Sequence, residues 1–296
     1  MCRAANIVCI AEVDYHKVVS EGENSTIPTF FLWIYYACIV ILGQKNSYHV
    51  NILVCISHVP DTTAKINFTA DGSALDPAGV QFVINPYDEF GLTKALHIKE
   101  AQGATITVLN VGGPETEPTL RKALAIGADQ AVRINATPTD AITVAKSIKN
   151  HIQANAYDLI ICGQESIDYN GQQVPAMVAA FLDLPFVNAC VGLDINGGSA
   201  TAKAEIDGGH ASYSCSLPMV VGGKKGLVEE KDLRIPNMRG IMTARTKPLA
   251  VEEGEGGGHT AAVSFAKPAA KSAVKLVPAD QVSELVRLLH EESKSI

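Results

Sequence analysis

From Asn51 onward, short apolar runs alternate with polar connections and amphipathic stretches, and this alternation constrains the fold more than any other feature of the chain. Residues 51–56, 104–110, 130–134 and 159–162 have the length and the Val/Ile/Leu-rich character of strands buried on both faces. Helical patterns lie between them. Pro86, with Asp88 and Glu89 behind it, reads as a helix start carrying Phe90, Leu92, Ala95, Leu96 and Ile98; a second helix carries Leu120, Ala123 and Leu124 and closes at Gly127; a third runs over residues 141–152. Strands that alternate with helices in this way predict an α/β fold with a doubly wound, mostly parallel sheet. Ligands of such sheets bind beyond the carboxyl ends of the strands. The loops at residues 55–60, 85–88, 111–114 and 163–174 all fall on that edge and are expected to line one crevice.

The most informative of these loops follows the run Leu159-Ile160-Ile161-Cys162. It comprises Gly163, Gln164, Glu165, Ser166, Ile167, Asp168, Tyr169, Asn170, Gly171, Gln172, Gln173 and Val174, and Pro175 then stands at a first helical position. A long polar loop entering a helix leaves backbone N–H groups free at the positive end of that helix, which suits a phosphate. An ordinary strand-to-helix connection accounts for the spacing equally well.

Beyond Val187 the pattern changes. Residues 201–207 and 210–217, joined at Gly208-Gly209, predict an antiparallel pair, and residues 218–221 a further short strand. Residues 222–233 read as a polar loop and 235–245 as a short helix. A glycine-rich linker follows at residues 252–259, and an amphipathic helix at about residues 279–292 carries Val282, Leu285, Val286 and Leu289 on one face. The expected organisation is an extension (residues 1–49), a nucleotide-binding α/β domain (50–249), and a linker with a partner-wrapping helix (250–296).

The net charge of -7, without a Lys/Arg block, argues against binding to nucleic acid. Seven scattered cysteines, none in a Cys-x-x-Cys pair, point to a reducing compartment, the bacterial cytoplasm, rather than to a zinc or disulfide framework. No Ser-His-Asp or Cys-His arrangement marks a catalytic centre. Residues 1–49 read differently from the rest. Residues 27–43 are nearly all apolar and sit at the lower limit of length for a membrane span. Three readings are open: an anchor, a buried segment, or non-native sequence upstream of a start at Val50. The third is favoured, because the next methionine after Met1 is Met177.

Five motifs, taken in order and spacing, resemble the beta subunit of the electron-transfer flavoproteins over about two thirds of the chain. They are Asn85-Pro86-Tyr87-Asp88, residues 124–129 (LAIGAD), residues 163–168 (GQESID), residues 205–209 (EIDGG) and residues 235–238 (IPNM). The resemblance implies an electron carrier, not an enzyme, that pairs with an alpha subunit and shares its FAD. It implies a second nucleotide, AMP or in bifurcating relatives another FAD, held by Cys55, Asn85 to Asp88, Gly112 and Gly163 to Val174. Electrons would arrive from flavin dehydrogenases, such as those of fatty acid oxidation, and leave to a quinone reductase. Tyr87 corresponds to an aromatic near the flavin rim, and Leu227 to an exposed leucine that anchors dehydrogenases. Two departures stand out: Thr62 where some members carry Tyr, and Val174 where a phosphate-binding hydroxyl is expected. A flavin-free nucleotide-binding sensor of the same fold is the alternative; it would not explain the Leu227 loop or the tethered final helix.

Overall fold

The structure, a computed structural model, describes residues 49–254, 256–270 and 273–296. The apolar stretch at residues 27–43 lies outside them. Among the described residues no helix is long and apolar enough to cross a membrane.

The β-α alternation folds as its periodicities dictate. Strand β1 (Val50–Cys55) leads through a small antiparallel pair, β2 (His58–Pro60) and β3 (Phe82–Ile84), into helix α1 (Pro86–Gln102). Then follow β4 (Ala104–Val111), α2 (Glu117–Ile126), β5 (Gln130–Asn135), α3 (Ala141–Ala154), β6 (Leu159–Gly163) and α4 (Val174–Leu182). Helix starts and stops match their sequence signals: Pro86 opens α1, Asp140 caps α3 by accepting from the Thr143 N–H at 2.8 Å, and Gly127 closes α2.

The second half supplies β7 (Phe186–Asn196), β8 (Ser199–Ile206), β9 (Gly209–Ser216), β10 (Met219–Gly223), α5 (Met238–Ala244), β11 (Leu249–Glu253) and α6 (Val282–Leu288). Nine strands form one sheet in the order β11-β5-β4-β1-β6-β10-β7-β8-β9. All pairings from β11 to β7 are parallel, and β8 and β9 add an antiparallel ribbon. The expected sheet class is therefore present, with two strands the sequence reading lacks. Strand β7 was hidden because small and polar residues interrupt its apolar pattern. Strand β11 lies partly in the expected linker: Ala250 to Glu253 pair with Val132 to Asn135, so the boundary expected at residue 250 runs through a strand. Its acidic tail, Glu252-Glu253, disguised it.

Successive strand residues feed opposite core layers. Ile52, Val54, Ile106 and Val108 meet Phe90, Leu92, Leu96, Leu120 and Leu124 from α1 and α2. Leu53, Leu109 and Ile160 meet Ala145, Ile148, Val178 and Ala179 from α3 and α4. Helix α1 sits so close to β6 that a Cβ on Gly91 would lie 2.8 Å from Ile161 Cγ2. Gly91→Val is expected to overpack this seam and destabilise the chain by about 1–3 kcal/mol, read from denaturant unfolding; an unchanged midpoint would show that the helix can retreat.

Candidate functional site

Strand order fixes where a ligand can sit. The chain runs from β1 outward to β4 and β5, then returns to place β6 on the other side of β1. The topological switch point is therefore between β1 and β6, whose carboxyl ends diverge into the loops after Cys55 and Gly163.

Asp88 and Asn85, both fully buried, hold these loops together from the start of α1. One Asp88 carboxylate oxygen accepts the Ser57 N–H at 2.7 Å and the other accepts the Gly163 N–H at 2.9 Å. Asn85 donates its side-chain amide to the Glu165 carbonyl at 2.8 Å, accepts the Ile167 N–H at 3.2 Å, and donates its own backbone N–H to Ser57 O at 3.1 Å. A Cβ on Gly163 would collide with Asp88 Oδ1 and with Tyr87 Cβ, so glycine is required there by close approach. The expected site residues Asn85, Asp88 and Gly163 thus build the crevice walls and keep no side-chain group spare for a ligand. Tyr87 lies half-buried beside them.

Cys55 turns its side chain into the core shared with Cys162, and the neighbouring Cys55 thiol together with burial pushes the Cys162 thiol well up. Both thiols are buried, and Cys55 is the last residue of β1. Gly112 spends its N–H on Ile134 O at 2.9 Å, and its carbonyl accepts from Arg133 at 3.2 Å. Like Asn85 and Asp88, it shapes the edge without an open donor.

Open donors lie on the remaining loop. Gln164 donates to the Gln172 side chain at 3.3 Å, and Gln172 to the Glu165 carboxylate at 2.8 Å, so the loop is braced across its width. The Asn170 N–H closes a turn on Ser166 O at 2.8 Å, and Asp168 accepts the Tyr169 N–H at 2.9 Å. Asn170 (φ 50) and Gln172 (φ 53) are left-handed, a conformation non-glycine residues adopt at a cost and one concentrated at functional loops. Left-handed Gln172 is followed by right-handed Gln173 (φ -96, ψ -39), a sequence of conformations that turns successive N–H groups toward one point. Among the described residues, the N–H groups of Gly171, Gln172, Gln173 and Val174 have no acceptor, and they stand at the N-terminus of α4. The Gln164 Oε1 atom is buried without a donor, an acceptor left over for a ligand. The site offers convergent backbone donors for an anion and two buried acceptors without a donor, Gln164 Oε1 and the Asn110 Oδ1 atom beside Gly112, a set that fits a nucleotide.

Leu227 departs from expectation. It is 4% exposed, lies over Gly223 with Cδ2 3.1 Å from where a Cβ would stand, and its N–H donates to Lys224 O at 3.0 Å. Gly223 leaves room for the Leu227 side chain at the end of β10, while the space over Gly222 is taken by Asn188. The premise of an exposed anchor at Leu227 is corrected: it is a core residue in this structure.

Burial pushes the Asp88 carboxyl up to about 7, against the pull of its N–H donors. A carboxyl raised in the folded state keeps its proton while the unfolded chain releases it, so its contribution to stability falls as pH rises from about 4 to 7 and is flat above. Asp88→Asn is expected to abolish that slope and to lose one of the two clamps, because its amide cannot accept on both sides. Thermal melting across pH 5 to 8 checks this; a variant with the parent's pH profile would refute it.

The electron transfer flavoprotein domain model matches residues 73–255. The electron transfer flavoprotein subunit beta of Bacillus subtilis is 34% identical over 262 residues, covering 83% of this chain and 100% of that protein. That of Syntrophomonas wolfei is 37% identical, covering 68% of this chain and 79% of that protein; that of Dictyostelium discoideum is 32% identical, covering 70% and 82%. On this likeness, which spans most of the chain, the chain belongs to the electron transfer flavoprotein family, as a beta subunit.

Proposed function

We propose that this chain pairs with an alpha subunit, shares that subunit's FAD, and holds AMP in its own crevice. The four open N–H groups of Gly171 to Val174 at the head of α4 carry the AMP assignment. They receive a phosphate without any side-chain cation, by backbone geometry and the helix dipole. Gln164 Oε1 accepts from the base or ribose, and Gly112 with the Asn85–Asp88 turn closes the sides. A second FAD in place of AMP would use the same anion site.

The shared FAD supplies the redox chemistry, taking electrons from flavin dehydrogenases such as those acting on acyl-CoA and yielding them to a quinone reductase. The protein's own part is to hold, orient and dock. Helix α6 supports the pairing: Val282 (61%), Leu285 (43%) and Val286 (49%) are exposed on a helix too short to be stable by itself. The segment before it stays on this chain. Asp140 accepts the His259 and Thr260 N–H groups, Phe265 stacks on Phe68 at 5.5 Å, and Lys267 donates to Asn67 at 2.7 Å.

Denaturing extraction of the native complex with mass spectrometry is expected to release one FAD and one AMP per heterodimer. Two FAD would indicate a bifurcating type, and no nucleotide would refute the crevice reading. Val174→Thr restores a hydroxyl beside the open N–H groups and is expected to tighten AMP about three- to tenfold, on the order of one hydrogen bond. An unchanged or weaker affinity on titration would place the phosphate elsewhere. Truncation after Lys267 keeps the contacts of the arm with its own chain and removes α6. It is expected to weaken subunit pairing while AMP content holds, and unaltered pairing in sedimentation would exclude α6 from the interface.

A further inference from the structure

Between α3 and the edge strand β11 lies a cavity of about 230 Å³ that shares no lining residue with the crevice. Helical spacing builds one wall: Ser147, His151 and Ala154 stand at i, i+4 and i+7 of α3 and so share a face. Strand β11 builds the other, where Glu252 and Glu253 run beside Ile134 and Asn135 of β5 in parallel register. At Gly254 a Cβ would stand 2.7 Å from both Ile134 Cγ2 and Ala136 Cβ, and 3.4 Å from Ser147 Oγ. Only glycine lets the end of the strand close over that hydroxyl.

Bonds within the walls leave a defined surplus. His151 spends both ring nitrogens, Nδ1 on the Glu252 carboxylate at 2.8 Å and Nε2 on the Tyr157 hydroxyl at 2.9 Å. Exposed Glu253 accepts the Asn135 amide at 3.2 Å, and Lys149 turns to the Asn150 side chain at 3.2 Å. Ser147 is 2% exposed, and its Oγ has no partner among the described residues. A hydroxyl shut in without a partner costs free energy that a bound molecule recovers. The lining therefore holds two carboxylates against one imidazole, an unpaired hydroxyl, and apolar surface at Ile134 and Ala154. Among the described residues no three side chains are placed to hold a metal ion, and the charge calls for an organic cation.

We propose that this cavity binds a compact aliphatic amine. The ammonium head donates to Ser147 Oγ and to the Glu252 carboxylate, and the carbon chain lies on Ile134 and Ala154. In a diamine the second head meets Glu253 at the mouth. An ammonium carries three donors and no acceptor, which matches carboxylate oxygens and a hydroxyl free to accept. Neutralising the two carboxylates in this seam holds β11 against α3, and with it the root of the arm that leads to α6.

Calorimetric titration of the intact alpha–beta complex with putrescine, at constant ionic strength, is expected to show one saturable site per beta chain. The melting temperature is expected to rise with putrescine. Ser147→Ala removes a hydroxyl that bonds nothing in the free protein, so its melting temperature without putrescine is expected to match the parent's. Its putrescine affinity is expected to fall about tenfold, the scale of one hydrogen bond to a charged group. Glu252→Gln keeps an acceptor for His151 without the charge and is expected to lose saturable binding. Butanediol, the neutral counterpart, is expected not to bind. A parent complex with no saturable site would overturn the proposal, as would equal affinity in the parent and Ser147→Ala, or butanediol binding as tightly as putrescine. Stabilisation matched by sodium chloride would reduce the effect to charge screening, and magnesium taking the same site more tightly would make it a metal site; either result overturns it. Should Glu252→Gln fail to fold, Ser147→Ala decides alone.

Discussion

The buried carboxylate of Asp88 is the constraint on which the crevice depends. Parallel strands that diverge at a topological switch point have no ladder to hold their exit loops at a fixed distance. Here the Ser57 and Gly163 N–H groups, one from each side of the switch, are accepted by two oxygens of a single rigid group. Asn85, one helical turn before, adds Glu165 and Ile167 to the same knot. Burying a carboxyl is costly, and its upward shift to about 7 records that cost. The arrangement persists because removing the acceptor would orphan two backbone donors on the crevice walls.

Once the walls are fixed, the site can rely on backbone. Side chains that sequence motifs bring forward, Asn85 and Asp88 above all, are spent on construction, while the donors left open belong to peptide groups of Gly171 to Val174. The left-handed residues Asn170 and Gln172 aim those groups, and the cross-loop contacts among Gln164, Glu165 and Gln172 brace them. Backbone donors at a helix N-terminus meet an anion without a titratable cation beside them.

The surfaces left over divide into two kinds. The final helix α6 shows an apolar face and is tethered by an arm that keeps contact with Asp140, Phe68 and Asn67. Helix α5 is instead clamped to α2 and surrounded by positive charge.

The alternation of apolar runs and helical patterns made the parallel sheet and the helix boundaries at Pro86 and Gly127 legible without coordinates, because these follow from local periodicity and caps. Strand β7 and edge strand β11 were not legible: a strand with one exposed or polar face carries no apolar run, and its identity comes from pairing partners far away in the chain. The motif residues were also legible as a group, but not their duties. Whether Asp88 touches a ligand or a backbone N–H, and whether Leu227 is an anchor or a filler of the hollow over Gly223, depends on which loops converge in space. Local sequence sets what each segment can form; long-range packing alone decides which polar groups are left unsatisfied and which apolar ones are left in water.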